Sequence, residues 1–454
     1  MKKYLAAFTF TLLVSCQPIS ADTPEVPLKE IDASLKTYPN IATTEFTLSN
    51  GMKISLKPTT FEEDEIMIRL DAKGGFSLYN PSQRAAVELS GQVLLESGFT
   101  DLTPDKLSVL LYETSSEFAI EIKALSRSIE AISPSDELET VLKLINFTFT
   151  KQEFKEDKFK NVMNLAKNSV KKRTLDFDTA FEDAYITTNT ENLAALRPLS
   201  EADIERADFA TSQKFLEYAF ANPDDFVCVI VGDFKEETIK PLIEKYLASI
   251  PSKKLKTEIT NPIVPTFPKG ITTKNVLSHK PGESLVRLTF PMQVEVNEKN
   301  VFAVELACQL IEERLRDKIK AQFSTTQGVD VAYEFPLYPS LEFSWISIQF
   351  RQDPKSVDAM IQLILKELKF LQNLGPTLFD LENAKLQQRQ SDEYWLKQND
   401  FWLASLSNYY LVGWDPKNII LSASKEKKVS VDKIREVIKN NISLKNYSII
   451  KSIP

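Results

Sequence analysis

Side chains that could do chemistry are few in this chain, and they are scattered. The 454 residues include a single histidine, His279, which stands before Lys280-Pro281-Gly282 and reads as a surface or strand-end residue. One imidazole rules out any site built on two histidines and a carboxylate, a common zinc-hydrolase donor set. The acidic run Glu62-Glu63-Asp64-Glu65 could offer oxygens to calcium, but a calcium site needs fixed ligand geometry and the run reads as a solvated turn. Lys167, Lys171, Lys172 and Arg173 gather at the end of a helical pattern, where positive charge complements the helix dipole. Two of the three cysteines lie in apolar patterns: Cys228 in the strand-like Phe226-Val227-Cys228-Val229-Ile230-Val231, and Cys308 in a helix. Both read as small core residues rather than nucleophiles or disulfide partners. Glu393, Tyr394, Trp395, Trp402, Tyr409 and Tyr410 form a dense aromatic set at mixed helical spacing. They are expected to pack a core or an inter-domain contact, with a peptide-facing wall as the alternative. The sequence holds no phosphate loop, serine triad or nucleotide motif.

The bulk of the chain is ordinary for a protein with packed cores: 43% hydrophobic, 10% aromatic and 26% charged. Its length predicts two or three domains. A net charge of -8 argues against nucleic acid as a partner and leaves peptides open. The N-terminus has the parts of an export signal: Lys2-Lys3, an apolar run from Tyr4 to Val14 that is too short to span a bilayer, then a small residue. Leu13-Val14-Ser15-Cys16 resembles the bacterial lipobox, in which the cysteine becomes the lipidated first residue; cleavage at Ser20-Ala21 is the alternative. Gln17 after that cysteine resembles the outer-membrane address of such lipoproteins. The expectation is a signal peptide over 1–15, lipidation at Cys16, and a tether over 16–43 rich in Pro, Thr, Asp and Lys. The protein would then sit on the periplasmic face of the outer membrane of a Gram-negative bacterium.

Order is predicted from Phe46-Thr47-Leu48-Ser49-Asn50-Gly51-Met52-Lys53-Ile54-Ser55-Leu56, where apolar residues alternate on both sides of an Asn-Gly turn. Glu65–Ala72 is a further strand, leading to Gly74-Gly75 and a helical pattern. Strand-like runs at Phe118–Lys123 and Ile129–Ile132 precede a helix through Leu138, Val141, Leu142, Ile145 and Phe149. The same sequence of elements recurs about 220 residues later: Val329–Phe335 and Leu341–Phe350, then a helix through Val357, Met360, Ile361, Ile364, Leu368 and Leu371. Each copy continues with a long charged helix, Phe154–Arg173 and Leu378–Lys397. Each closes on a short helix and an apolar strand: Ser200–Asp208 with Phe226–Val231, and Ser430–Asn440 with Tyr447–Ile450. Ser200-x-x-Asp203 keeps a capping-box-like start, and Ser430-x-x-Lys433 does not. Between the copies, Pro251, Pro262, Pro265 and Pro268 suit an extended connector. The predicted organisation is a first α+β domain over 44–250, a linker over 251–271 and a second α+β domain over 272–454.

From about Thr44 onward, the chain resembles the pitrilysin/insulinase family of zinc metallopeptidases, with an inverted His-x-x-Glu-His motif. The segment Gly74-Gly75-Phe76 through Leu94-Leu95-Glu96-Ser97-Gly98 carries the resemblance. So do Ser133–Leu142, which is similar to the family's turn into a helix, and Asp225–Phe234, whose Val-Gly-Asp is similar to its domain-closing strand. More narrowly, the chain resembles the C-terminal half of the larger bacterial members, whose N-terminal half carries zinc. The resemblance implies an α+β fold of two homologous domains, each an antiparallel sheet packed by helices, of the LuxS/processing-peptidase type. It also places the zinc motif on Leu89-Ser90-Gly91-Gln92-Val93: Leu89 and Val93 stand for the histidines, and Gln92 for the general base. Active relatives take a third ligand, a glutamate, from the long helix, yet Lys158 through Phe181 contains no Glu. The family's opposing half supplies an Arg and a Tyr, seven apart, to hold the substrate carbonyl. The matching pair here is Lys320 and Gln327, with Arg316 and Phe323 as an alternative register.

A zinc hydrolase needs three protein ligands, an open coordination position and a base for the water. Neither zinc nor peptidase activity is therefore expected of this chain alone. The leading expectation is a non-catalytic subunit that completes the peptide chamber of a zinc-bearing partner of the same family, with peptides as ligands. The alternatives are a stand-alone structural or peptide-binding lipoprotein, working as a homodimer, and an active zinc endopeptidase.

Overall fold

The computed structural model describes residues 35–173, 175–255, 266–277, 282–292, 294, 297–323, 328–335, 344–420 and 428–453. Cys16, residues 17–34 of the tether expected over 16–43, His279, Gln327 and most of the proline-rich connector lie outside these, while Lys36–Tyr38, expected in that tether, form a strand that pairs with Thr43–Glu45. The first unit opens with strands β1 (Lys36–Tyr38), β2 (Thr43–Thr47), β3 (Lys53–Pro58) and β4 (Ile66–Lys73). Helices α1 (Arg84–Glu88), α2 (Ser90–Ser97) and α3 (Pro104–Glu113) follow, then β5 (Glu117–Ile122), β6 (Ser126–Ser133) and α4 (Leu138–Thr150). The unit continues with α5 (Glu156–Arg173), α6 (Phe177–Asn189), α7 (Glu201–Glu205), α8 (Phe209–Ala219), β7 (Phe226–Gly232) and α9 (Glu236–Ile243). The second unit comprises β8 (Ile271–Leu277), β9 (Ser284–Met292), α10 (Glu298–Gln322), β10 (Val329–Glu334), β11 (Ser344–Gln352) and α11 (Val357–Leu374). It ends with α12 (Leu378–Trp395), α13 (Asn399–Val412), α14 (Val431–Asn441) and β12 (Tyr447–Ile453).

The strands form two sheets, ordered β1-β2-β3-β7-β4-β6-β5 and β10-β11-β9-β12-β8. Five strands of the first sheet, β3-β7-β4-β6-β5, have the same order as β8-β12-β9-β11-β10 of the second, so the repeat read in the sequence is a repeat of topology. Pairing is antiparallel except once in each sheet: β3 runs parallel to β7, and β8 to β12. The cause is that the closing strand of each copy returns after a string of helices and inserts beside the copy's first core strand. A crossover of that length permits parallel pairing.

One face of each sheet carries its own helices. Ile54, Leu56, Ile68, Leu70, Ile129, Cys228 and Ile230 meet Val141, Leu142 and Ile145 of α4 in the first core. Val286, Leu288, Phe290, Ile346 and Ile348 meet Val304 and Ile311 of α10, Ile364 and Leu368 of α11, and Ile434 and Ile438 of α14 in the second. The other face is covered by exchange. Helix α13 of the second unit sets Trp402, Leu403 and Leu406 on Val229 and Val231 of the first sheet. Reciprocally, α6 of the first unit sets Phe181, Ala184 and Tyr185 on Leu285 and Ile450 of the second. The run Phe226–Val231 is continuously apolar because β7 is buried on both faces.

Polar latches secure the exchange. The Thr59 hydroxyl donates to the Asn399 amide oxygen at 2.7 Å, while the Asn399 amide nitrogen donates to Glu65 at 2.9 Å. The Lys57 ammonium lies 4.4 Å from the Trp402 ring centroid, and burial pushes its pKa down. On the other side, the Arg287 guanidinium makes two bonds to Glu182, at 2.9 and 2.7 Å, and lies 4.3 Å from the centroid of Tyr185. The aromatic set read in the sequence divides accordingly. Trp402 is buried between the units, Tyr410 donates to the Ser55 hydroxyl at 3.1 Å, and Tyr394 and Trp395 remain exposed.

Candidate functional site

Strand β4 delivers the chain into Gly74-Gly75, and only glycine fits the second position. A Cβ on Gly75 would stand 1.9 Å from the Lys123 carbonyl oxygen. The helical pattern that follows is broken into α1 and α2 at Leu89 (φ -90°, ψ 0°), with the Ser90 hydroxyl donating back to the Val87 carbonyl at 2.6 Å. Gly91 lies so close to β5 that a Cβ there would come 2.4 Å from the Ile120 carbonyl oxygen. The backbone therefore holds the three aligned positions firmly beside the edge strand β5, and their side chains offer no metal ligand set.

Val93 is buried, and Leu89 packs with it against Ala85, Phe159, Val162 and Met163 from α1 and α5, with Ile204 from α7. The residues that α5 contributes to this cluster, Phe159, Val162 and Met163 with Ala166 and Val170 at its margin, are all apolar. Gln92 is exposed. Glu88, the nearest carboxylate, accepts from Arg84 Nε at 2.7 Å, and the same guanidinium donates to the Ala194 and Arg197 carbonyls and lies 4.6 Å from the Phe76 ring centroid. That carboxylate is held by a structural arginine. Leu, Val and Phe give zinc no donor atom and the lone thioether of Met163 makes no three-ligand set, so the residues present do not fit the metal. Next to the cluster, an open groove of about 510 Å³ is lined by Phe159, Met163, Ile204 and Phe209.

In the second unit, Lys320 is exposed on the last turn of α10. In the alternative register, Arg316 is paired with Glu312 one turn back, and Phe323 packs at the margin of the second core. Helix α10 also carries a group that the sequence reading missed. The Glu305 carboxylate is enclosed between α10, α12 and β10, accepting from Gln388 Nε2 at 3.2 Å and bonded to the Tyr333 hydroxyl. Burial, then the neighbouring Asp392, pushes its pKa up to about 7. The signal was available, since Glu305 interrupts the apolar run Val301-Phe302-Ala303-Val304 and Leu306-Ala307-Cys308.

The chain is a doubled α+β unit with a Gly-Gly turn, a short helix against an edge strand and an apolar cluster packed on that helix. Residues 212–388 match the family described as the Peptidase M16 inactive domain. The zinc protease PQQL-like of Arabidopsis thaliana is 24% identical over 386 residues, covering 82% of this chain and 38% of that protein. The crystal structure of the periplasmic protease PqqL from Escherichia coli superposes with a TM-score of 0.75 at 19% identity, covering all of this chain and 49% of that one. The structure of the first half of the same protease gives a TM-score of 0.73 at 13% identity, covering 94% of this chain and 93% of that half. The chain is thus similar to M16 zinc peptidases and, over residues 212–388, to the family's inactive domain, and it spans less than half the length of these full-length relatives.

Proposed function

We propose that this chain is a non-catalytic M16 subunit that completes the peptide-binding chamber of a zinc-bearing partner, itself binding no zinc and hydrolysing no peptide. The observation that carries this reading is the apolar packing of Leu89 and Val93 against Phe159 and Met163 within an intact family fold. The framework that would aim ligands at a metal is retained while the ligands are gone, which suits a chain kept for its shape. Its contributions would be chamber wall, backbone edges for an extended peptide, and Lys320 as a positive charge facing a substrate carbonyl. The reading includes an anchor: lipidation at Cys16 would hold the complex at the periplasmic face of the outer membrane.

The test is reconstitution with the M16 chain of the same organism that carries His-x-x-Glu-His. Alone, this protein should leave a fluorogenic peptide library uncut. Added to the partner, it should raise the partner's kcat/KM. A partner equally active with and without it would defeat the proposal, as would zinc-dependent cleavage by this chain alone.

A further inference from the structure

The C-terminal half of α12 is attached to the second unit differently from the half before it. Leu381, Ala384 and Lys385 are the buried residues of this helix, and from Gln388 to Trp395 none is buried. Amides and carboxylates make the contact with α10 instead. Gln309 Nε2 donates to Gln387 Oε1 at 3.2 Å, and Gln388 Nε2 donates to Glu305 Oε1 at 3.2 Å. The same Gln388 nitrogen donates to Asp392 Oδ1 at 2.9 Å, so one amide stands between two carboxylates. Tyr333 of the edge strand β10 closes the cluster with its hydroxyl on Glu305. Beyond Trp395 the chain is fixed again: Leu396 packs against the Trp402 cluster, and its carbonyl accepts from Trp402 Nε1 at 2.9 Å. Gln388–Trp395 is therefore a span pinned at both ends and joined to α10 by polar contacts.

One group of this cluster can change charge near neutral pH. Carboxylates on either side of a single nitrogen repel when both are ionised, and enclosure strengthens the repulsion. Burial and then Asp392 push the pKa of Glu305 up to about 7, against the bonds from Tyr333 and Gln388. Its other ionisable neighbours are neutral, engaged elsewhere or exposed. On α10, burial holds the Cys308 thiol far above its usual range, Glu312 accepts from the Val331 amide at 3.2 Å, and Glu313 accepts from Gln309 at 3.3 Å. On α12, Lys385 pairs with Glu382 at 3.1 Å and Arg389 is exposed. On β10, burial and then Glu305 keep the Tyr333 phenol protonated, while Asp330 and Glu334 are exposed and alternate onto the other face. The first unit is built otherwise. There α5 takes the place of α12 in the element order, and Phe159, Val162 and Met163 meet Leu89 and Val93 in contacts that no proton alters.

We propose that Gln388–Trp395 is a proton-gated strap, closed on α10 while Glu305 carries a proton and lifted, opening Glu305 and Tyr333 to solvent, when Glu305 and Asp392 are both ionised. The test is hydrogen–deuterium exchange of the full-length protein at pH 6 and pH 8, read by mass spectrometry and corrected for the intrinsic acceleration of amide exchange with pH. Protection of 388–395 should be about tenfold lower at pH 8, the ratio for a carboxyl that titrates near 7 when enclosed and at an ordinary 4.5 when released. Protection of 399–412 in α13 should not change. Glu305→Gln should keep the strap closed at both pH values, and Asp392→Asn should narrow the difference between them. Equal protection of 388–395 at pH 6 and pH 8 in the parent would overturn the strap, whether or not either variant folds. So would a difference that survives Glu305→Gln, or one shared by α13, which would report opening of the whole unit.

Discussion

At the residue scale, Leu89 and Val93 offer no metal ligand, and their surroundings decide whether ligands placed there could bind zinc. Restoring the motif by Leu89→His, Gln92→Glu and Val93→His would place imidazoles among Phe159, Val162 and Met163 with no third ligand on α5. Burying such polar groups without partners costs about 1–3 kcal/mol each. The triple variant should melt lower than the parent, and both should retain well under one zinc per chain after dialysis; stoichiometric zinc in either protein would refute this. The apolar stripe was legible in the sequence because side-chain type alone excludes ligation. The break at Leu89 was not, because Ser90 bonding back to Val87 is one of several options open to a serine in a helix. A second prediction concerns Glu305, whose pKa rises from an ordinary 4.5 to about 7 on folding. The folded protein holds that proton more tightly, so this group's contribution to stability is complete below pH 4.5 and is lost as pH rises through 7. Glu305→Gln keeps partners for Gln388 and Tyr333 without the charge. Urea unfolding should show it more stable than the parent by about 3 kcal/mol at pH 8, with the difference nearly gone at pH 4.5. An advantage independent of pH would show that the carboxylate is not the cause.

At the element scale, the defining feature is the exchange of α6 and α13. Part of both repeats was readable from period-2 and period-3.6 patterns, and Asn50-Gly51 marked its hairpin, whereas β8, β9 and α6 were not read. The exchange was not readable, because an apolar face such as Phe177-Phe181-Tyr185 or Trp402-Leu406-Tyr410 reports that a helix is covered without reporting by which sheet. Only the three-dimensional closure of two similar units settles that partnership. Since each unit finishes the other's sheet, neither has a complete core alone, and the parent should unfold in one calorimetric transition. Trp402→Ala removes the side chain that fills the space between α13 and Val229 and Val231, and with it the ring beneath Lys57. Losses for a buried tryptophan run at about 3–5 kcal/mol. The variant should unfold in two transitions, with the first unit melting earlier. Two transitions in the parent would show that the exchanged helices do not couple the units.

At the scale of the whole molecule, the proposed chamber role gives the second unit a specific task to test. The second unit's long helix α10 carries an exposed lysine, Lys320, on its last turn. On the proposed reading, Lys320 keeps the charge of the arginine that the resemblance implies there and loses its planar, two-point geometry. It can still stabilise an oxygen on which negative charge develops, an effect worth a few kcal/mol when the charge is held in place and water is excluded. Lys320→Ala should therefore lower kcat of the reconstituted complex about ten- to a hundredfold, with assembly unchanged. Lys320→Arg should hold or raise it, and the complex with Gln327→Ala should show a smaller loss, since a neutral amide offers only a hydrogen bond. The alternative pair is a built-in comparison. Arg316 already spends its charge on Glu312, and Phe323 packs into the core margin. Arg316→Ala should accordingly leave kcat within about twofold, and Phe323→Ala should act on stability rather than turnover. If Lys320→Ala cleaves at the parent rate while Arg316→Ala does not, the carbonyl-facing position lies one turn earlier on α10. If neither changes kcat in an intact complex, the second unit serves the chamber by its walls alone.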